Sequence, residues 1–144
     1  MIFRAPEAQL VIPEVALTPF LLSGAERRGD KPALIDAASG RTLTYRGWAE
    51  SVRRTAAGLA RRGFRQGDVF AIYSPNLPEY AIAFHAVSLL GGIITTVNPA
   101  YTAEELSRQM RDAGAKYLLT TPAFLEKATR ASTLDLQLRL AQHR

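Results

Sequence analysis

The chain has 144 residues, of which 47% are hydrophobic and 22% are charged, so a disordered polymer is excluded and one domain with a hydrophobic core, or part of one, is expected. It contains no cysteine, which excludes a disulfide framework, a thiolate metal site and a thiol nucleophile and agrees with a cytoplasmic location. Its formal charge of +5 raises the question of a polyanionic partner.

The basic residues do not form the pattern of a nucleic-acid interface. Arginine pairs occur at residues 27–28, 53–54 and 61–62. The first pair lies in one predicted helix and the other two lie on the solvent-facing side of another, without the interleaved aromatic side chains that a base-stacking surface needs. We therefore predict a solvated face and no nucleic-acid partner. Polar residues and two glycines divide the longest apolar stretch, residues 80–97, so no membrane span is predicted.

Residues 1–30 are predicted to form an N-terminal arm and a short helix. Prolines interrupt residues 1–17, which favours an extended chain and argues against a signal peptide. Thr18 is a suitable cap for a helix that runs to Arg28 and ends at Gly29.

The next elements are a hairpin and a longer helix. Residues 31–36 and 41–45 are short apolar runs separated by Ala-Ala-Ser-Gly, which predicts a small antiparallel hairpin or two edge strands. Apolar side chains at helical spacing predict a helix over residues 48–62, and Gly63 is its expected C-terminal stop.

Strand and helix patterns then alternate. Three continuous apolar or β-branched runs predict buried strands, over residues 69–73, 93–97 and 116–121. Helices are predicted after them, over residues 77–90, 102–113 and 123–131. The fold class over residues 31–131 is therefore α/β, a partial doubly wound parallel sheet (βαβαβ) preceded by a small hairpin. Because three parallel strands leave an unpaired edge, we expect further strands from chain outside this sequence.

Helix boundaries are predicted from capping residues. Asn76 can cap the helix over residues 77–90, with Pro78 in its first turn and Glu79 answering the cap. Gly91-Gly92 is expected to end that helix. Thr102 opens the next helix with the residue order of a capping box.

Residues 132–144 form a tail of uncertain structure. Its leucines alternate with other residues at period two, which is either a strand pattern or an accident of the sequence. The sequence ends at His143-Arg144 without a capping element, which is consistent with a truncated or frameshifted gene.

No catalytic or metal-binding constellation is predicted. Gly91-Gly92 lies between a helix and a strand, whereas a phosphate loop lies between a strand and a helix N-terminus. His85 has no second ligand at metal spacing, so a core or partly exposed histidine is expected. Asp36, Asp68 and Glu79 are candidate acids, but Asp68 follows a turn glycine and Glu79 suits a cap, so structural roles are favoured.

Six polar residues lie where a ligand would bind in an open α/β sheet, after the carboxyl ends of the strands. They are Ser74, Asn76, Asn98, Tyr101, Thr102 and Thr121. The alternative is that they serve only as turn and cap residues.

Several motifs resemble one known family, the AMP-forming acyl-CoA ligases, and in particular their 4-coumarate:CoA ligase-like and fatty acyl-CoA synthetase group. The motifs are GDVFAIYSPNLPEY, the Gly-Gly pair followed by a β-branched strand and NPAYTAEEL, DAGAKYLLT, and, earlier in the chain, KPALID, RTLTY and GLARRGFRQGD. They extend from about Pro32 to Lys127. The sequence departs from the family pattern at Arg46-Gly47-Trp48 and beyond about Thr129.

The resemblance implies the incomplete N-terminal domain of an adenylate-forming enzyme. A carboxylate substrate would react with ATP, accompanied by Mg²⁺, to give an acyl-adenylate and pyrophosphate, and coenzyme A would then displace AMP. The family's phosphate loop, ribose-binding aspartate and C-terminal lysine lie downstream of the matched region and are absent from this sequence. No catalytic residue is therefore assigned, and none of these cofactors is expected to bind tightly. Lys127 and Arg130 are weak candidates for contacts to a coenzyme A phosphate.

Three hypotheses follow. The first is an N-terminal fragment of an acyl-CoA ligase that is inactive alone. The second is a free-standing α/β binding or interaction module without catalysis, and the third is a basic interaction protein. The carboxylic acid that the enzyme would use and the oligomeric state are left open.

Overall fold

The computed structural model describes the backbone of residues 13–142 and the side chains of residues 13–133. The predicted extended arm at residues 1–12 and the end of the chain at residues 143–144 lie outside the described residues. The helices are α1 (Leu17–Arg28), α2 (Tyr45–Arg61), α3 (Pro78–Leu89), α4 (Ala103–Asp112) and α5 (Leu125–Gln142). The strands are β1 (Pro32–Ile35), β2 (Thr42–Thr44), β3 (Val69–Tyr73), β4 (Ile93–Val97) and β5 (Tyr117–Thr120).

Two sheets form, and both confirm the prediction. β1 and β2 pair antiparallel as a small hairpin. β3, β4 and β5 form a parallel sheet in the order β4-β3-β5, so β3 is central. Val69 aligns with Ile93 of β4, and Phe70 aligns with Tyr117 of β5. The α/β class and the βαβαβ order are therefore as the sequence indicates.

Helices cover both faces of the parallel sheet because successive side chains of β3 point to opposite sides. Ala71 and Tyr73 pack in a cluster with α4 and α5. Phe70 and Ile72 pack in a second cluster with α3. A third cluster lies between α1, α2 and the hairpin, and its buried members are Leu22, Ala25, Trp48, Ala49 and Val52.

Side-chain hydrogen bonds attach a helix to β4, one of the two outer strands of the sheet. Gln109 of α4 donates hydrogen bonds from Nε2 to Thr95 Oγ1 at 2.9 Å and to the Thr96 carbonyl at 3.0 Å, which ties the helix to β4. Among the described residues, no further strand pairs with the outer side of β5 or of β4. The expected unpaired edge is therefore present at both sides of the sheet.

Of the three predicted helix caps, the structure contains the one at Thr102 and lacks those at Asn76 and Thr18. The capping box of Thr102 and Glu105 is confirmed, but Asn76 does not cap α3. Leu77 occupies the cap position, and no side chain bonds to the first turn there. Glu79 does not answer a cap either, because its carboxylate pairs with Arg41 at 2.7 Å.

Thr18 is also not a cap, because α1 begins at Leu17 after Ala16. Thr18 is fully buried inside the helix. Its hydroxyl lies 2.9 Å from Nδ1 of His85 and donates to Ser88 Oγ at 3.0 Å. Partners on α3 therefore decide the role of this hydroxyl, and they hold α1 against α3.

The strand interpretation of the tail is wrong, because α5 continues without a break to Gln142. A helix that has already formed is extended at little cost when the next residues are good helix formers, as leucine, glutamine and arginine are. The alternation of leucines with other residues does not overcome this preference for a helix. The domain boundaries at residues 30 and 131 stay predictions.

We predict that Gly92→Ala destabilises the fold by about 1–3 kcal/mol, as overpacking of a core does. A β-carbon at Gly92 would lie 2.5 Å from Cζ of Phe64 and 2.7 Å from Cγ1 of Val87. Urea unfolding at equilibrium measures the change in free energy of unfolding.

Gly58→Ala is the matched control. Gly58 lies inside α2, and no heavy atom lies within 4 Å of the added β-carbon, so the substitution should stabilise the protein by up to about 1 kcal/mol. Equal effects of the two substitutions would contradict the close packing at Gly92.

Candidate functional site

The carboxyl ends of β3 and β4 border an open cavity of about 570 Å³. Four of the six strand-end residues that the sequence indicates line this cavity: Ser74, Asn76, Asn98 and Tyr101. The structure therefore brings most of the predicted ligand-binding residues to one place. We name it the strand-end cavity.

A buried hydroxyl shapes the strand-end cavity. Tyr73, the last residue of β3, is fully buried, and its hydroxyl lies 3.2 Å from the Pro99 carbonyl and 3.1 Å from the Tyr101 carbonyl. Its single proton is shared between the two oxygens. The Asn98 side chain also supports this loop, because its Oδ1 accepts from the Ala100 N–H at 2.9 Å. The turn role predicted for Asn98 is therefore present.

The strand-end cavity has a polar lining without charged side chains. Ser74 is buried and its hydroxyl donates to the Pro75 carbonyl at 2.9 Å, while Asn76 is exposed at the rim. Gln109 and Tyr80 also line the cavity. Such groups can form hydrogen bonds with a ligand, but the lining provides no carboxylate or imidazole for general acid–base catalysis.

Sequence reasoning misses Gln109, because its position at the cavity depends on how α4 crosses the sheet. The residue lies two turns into α4, far from the strand ends in sequence. No local pattern distinguishes it from other polar residues on the helix.

Two strand-end residues lie elsewhere. Thr102 lines a second open cavity of about 450 Å³ beside α5, and its hydroxyl accepts from the Glu105 N–H at 3.2 Å in the capping box. Thr121 precedes the short 3-10 turn before α5. Its Oγ1 is buried and has no hydrogen-bond partner among the described residues.

The second cavity brings together the two candidate coenzyme A contacts, Lys127 and Arg130. Arg130 forms an ion pair with Glu104 at 2.8 Å, and the Lys127 ammonium lies 6.0 Å from the centre of the Tyr73 ring. Glu104 and Glu126 line the same cavity. Two carboxylates thus balance the two cations, which weakens the attraction of this cavity for an anion.

The three candidate acids have structural partners. Ser39 donates a hydrogen bond that lowers the pKa of Asp36. The ammonium of Lys116, at 2.7 Å, lowers the pKa of Asp68, and the hydrogen bond from Arg41 lowers the pKa of Glu79. The turn role predicted for Asp68 is present, because its Oδ2 accepts from the Arg65 N–H at 2.8 Å. All three carboxylates are held in their ionised form.

His85 is a half-buried histidine of α3, as the sequence indicates. Its ring packs edge-on against Trp48 with 5.1 Å between the ring centres. Burial lowers the pKa of His85 below its ordinary value of 6.5. Nδ1 of His85 lies 2.9 Å from Thr18 Oγ1, so this ring nitrogen already has a hydrogen-bond partner.

The described residues contain no cluster of three or more histidine, aspartate or glutamate side chains that could hold a metal ion. Within the same residues, no helix combines the length and hydropathy that crossing a membrane requires.

Comparisons with known proteins agree on one family. A family model described as "AMP-binding enzyme" matches residues 22–143. This match continues past Thr129, so the predicted end of the resemblance there is wrong. A 4-coumarate–CoA ligase 4 from Arabidopsis thaliana is 38% identical over 133 residues, which are 89% of this chain and 23% of that protein. The chain thus spans about a quarter of the length of this relative.

Solved structures show the same fold. A benzoate CoA ligase from Burkholderia xenovorans matches with a TM-score of 0.78 at 20% identity, over 83% of this chain and 24% of that one. The N-terminal subdomain of NpsA from Klebsiella oxytoca, in complex with 3-hydroxybenzoyl-AMSN, matches with a TM-score of 0.68 at 30% identity, over 73% of this chain and 26% of that one.

We predict that the protein loses stability as the pH falls below about 6.5, the ordinary pKa of histidine, through the titration of His85. The folded state disfavours the charged imidazole, so the unfolded chain binds the proton more tightly. The stabilisation is complete above pH 6.5, the ordinary pKa, and is lost as the pH falls through the lowered pKa of the folded state. Urea unfolding at several pH values measures this loss.

His85→Gln isolates the contribution of His85, since all other ionisable groups remain. The free energy of unfolding of the variant should vary less with pH than that of the unchanged protein. Identical pH profiles would show that His85 does not contribute.

We predict that Tyr73→Phe destabilises the protein by about 1 kcal/mol, because two loop carbonyls lose their donor. Urea unfolding measures the loss. Tyr80→Phe is the control within the same cavity, because the Tyr80 hydroxyl makes no hydrogen bond among the described residues, and it should change stability little. A loss in Tyr80→Phe as large as that in Tyr73→Phe would argue against the loop-holding role.

Proposed function

The chain belongs to the AMP-binding enzyme family, and we propose that it is the N-terminal part of an acid–CoA ligase, which converts a carboxylate, ATP and coenzyme A into acyl-CoA, AMP and pyrophosphate. The observation that carries this proposal is the 38% identity to a 4-coumarate–CoA ligase across 89% of the chain. The reaction is assigned to the longer polypeptide, because the chain spans only 23% of that relative.

The chain alone is proposed to be inactive. The strand-end cavity offers amides and hydroxyls but no charged group among its lining residues, whereas stabilising a transferring phosphoryl group requires positive charge or a metal ion. In the sequence, Gly91-Gly92 follows a helix and is therefore no substitute for a phosphate loop. These observations support a scaffold role.

In the longer ligase, the parallel sheet is proposed to continue beyond β5. The crossover from β4 to β5 runs through α4, and α5 packs in the same cluster as α4. A second right-handed crossover on that face brings the next strand to the far side of β5. No strand occupies the outer edge of β5 among the described residues.

Lys127 and Arg130 are proposed to contact a phosphate group of coenzyme A in the longer ligase. Both line the second cavity beside α5. Arg130 would have to exchange its partner Glu104 for the phosphate, so Lys127 is the stronger candidate. Mg²⁺ would accompany the ATP. A cytoplasmic location fits the cofactors and the absence of cysteine.

A second candidate function is a binding module without catalysis. The observation that favours it is the pair of open cavities beside a parallel sheet that is covered by helices on both faces. Such a module would bind ATP or coenzyme A without turnover, and ligand binding to the folded state would raise its melting temperature.

We predict that the purified chain, incubated with ATP, Mg²⁺, coenzyme A and a set of aromatic and fatty acids, releases no pyrophosphate above background. A coupled pyrophosphate assay measures this, with the full-length Arabidopsis ligase as the positive control. Turnover by the chain alone would overturn the proposed inactivity.

Thermal melting with ATP or coenzyme A tests the second candidate on the same sample. An unchanged melting temperature favours the ligase fragment. Stabilisation by coenzyme A that Lys127→Ala removes would instead support the binding module and the phosphate contact together.

A further inference from the structure

A third cavity lies between α1, β1, α2 and α3 and has a volume of about 300 Å³. We propose that it binds a small apolar monocarboxylate, such as an aromatic acid of one ring. Eight residues line it: Leu21, Arg28, Ala33, Leu34, Tyr45, Trp48, Ala81 and His85. We name it the α1 cavity. Binding there is independent of the ligase reaction proposed above.

The size and the lining of the α1 cavity fit a small ligand with an apolar body. Its volume is at the lower end of the range of about 300–1,000 Å³ in which small-molecule sites occur. Five of the eight lining side chains are aliphatic or phenolic. An apolar ring in this cavity would displace water from apolar surface, which is favourable.

Arg28 gives the cavity one positive charge. Its guanidinium lies over the Tyr45 ring at 5.2 Å, and its Nη1 donates to the Gly24 carbonyl at 3.1 Å. These contacts fix the position of the side chain and leave most of its five donors available. A guanidinium held in this way pairs well with a carboxylate, because two parallel N–H groups match the two oxygens.

Trp48 provides an apolar wall of the cavity. The side chain is only 8% exposed, and its Nε1–H is buried with almost no accessible surface. The indole therefore offers the face or edge of its ring rather than a hydrogen bond, and an apolar ligand ring can pack against it. Arg28 is the group of the lining that pairs with the carboxylate.

His85 sets the charge that the cavity accepts. Its lowered pKa keeps the imidazole neutral near neutral pH, and Nδ1 is already engaged with Thr18. No carboxylate lines the cavity. Arg28 is therefore its single cation, which matches a ligand with one negative charge better than a phosphate or a dicarboxylate.

The experiment uses Trp48 as the reporter, since it is the single tryptophan of the chain. We expect benzoate to change the fluorescence of the full chain in a saturable manner at neutral pH. Benzylamine and benzyl alcohol, which have the same ring without the negative charge, should bind at least about tenfold more weakly, as should inorganic phosphate. Equal responses to benzoate and benzylamine would overturn the proposal.

Two arginine variants test the position of the ligand. Arg28→Ala should weaken benzoate binding at least about tenfold, whereas Arg27→Ala, next to it on α1 but outside the cavity lining, should leave the affinity unchanged. Both side chains are exposed, so neither substitution disturbs the core. Binding that is unaffected by Arg28→Ala, or no saturable signal at all, would refute the site.

Trp48→Phe tests the contact with the indole ring by calorimetry, which does not need the fluorophore. We expect weaker benzoate binding by a variant whose cooperative melting shows that it is folded. If that variant does not fold, the chemical shifts of the Trp48 ring protons in the unchanged protein provide the same test. A shift on adding benzoate supports the contact, and the lack of one contradicts it.

Discussion

The burial of β3 on both faces is the constraint on which the rest of the fold depends. Ala71, Ile72 and Tyr73 are fully buried, so apolar layers must cover the strand from both sides. The layer of α3 covers Ile72, and the layer of α4 and α5 covers its two neighbours. The strand-end cavity is a consequence of this arrangement, because the same strand ends between the two layers.

Local patterns predict the elements of this protein well, but the partners of polar side chains depend on the tertiary structure. The strands and the Thr102 capping box follow from neighbouring residues alone. Thr18 and Asn76 are equally good caps by sequence, yet Thr18 is buried against His85 and Asn76 is exposed at a cavity rim. Residues close in sequence do not reveal these contacts. The α1 cavity combines residues from four elements and shows no local signal.

The charged residues show why the net charge of the chain does not identify a binding site. The chain is basic, but several arginines are paired with carboxylates on the surface, as Arg46 is with Asp30 and Arg130 with Glu104. Such exposed pairs contribute little to stability. They do, however, neutralise charge locally, so that net charge is a poor guide to binding. The position of one arginine, Arg28 over the Tyr45 ring, is a better guide to ligand binding than the net charge of the chain.

The central position of β3 also affects how the chain folds during synthesis. β3 leaves the ribosome before either of its neighbours, and its partner Tyr117 follows Phe70 by more than forty residues in the sequence. Synthesis proceeds at about 5–20 residues per second, so the Tyr73 side of the strand is uncovered for several seconds until α4 and α5 emerge. In that interval the nascent chain exposes an apolar strand, and molecular chaperones recognise such segments.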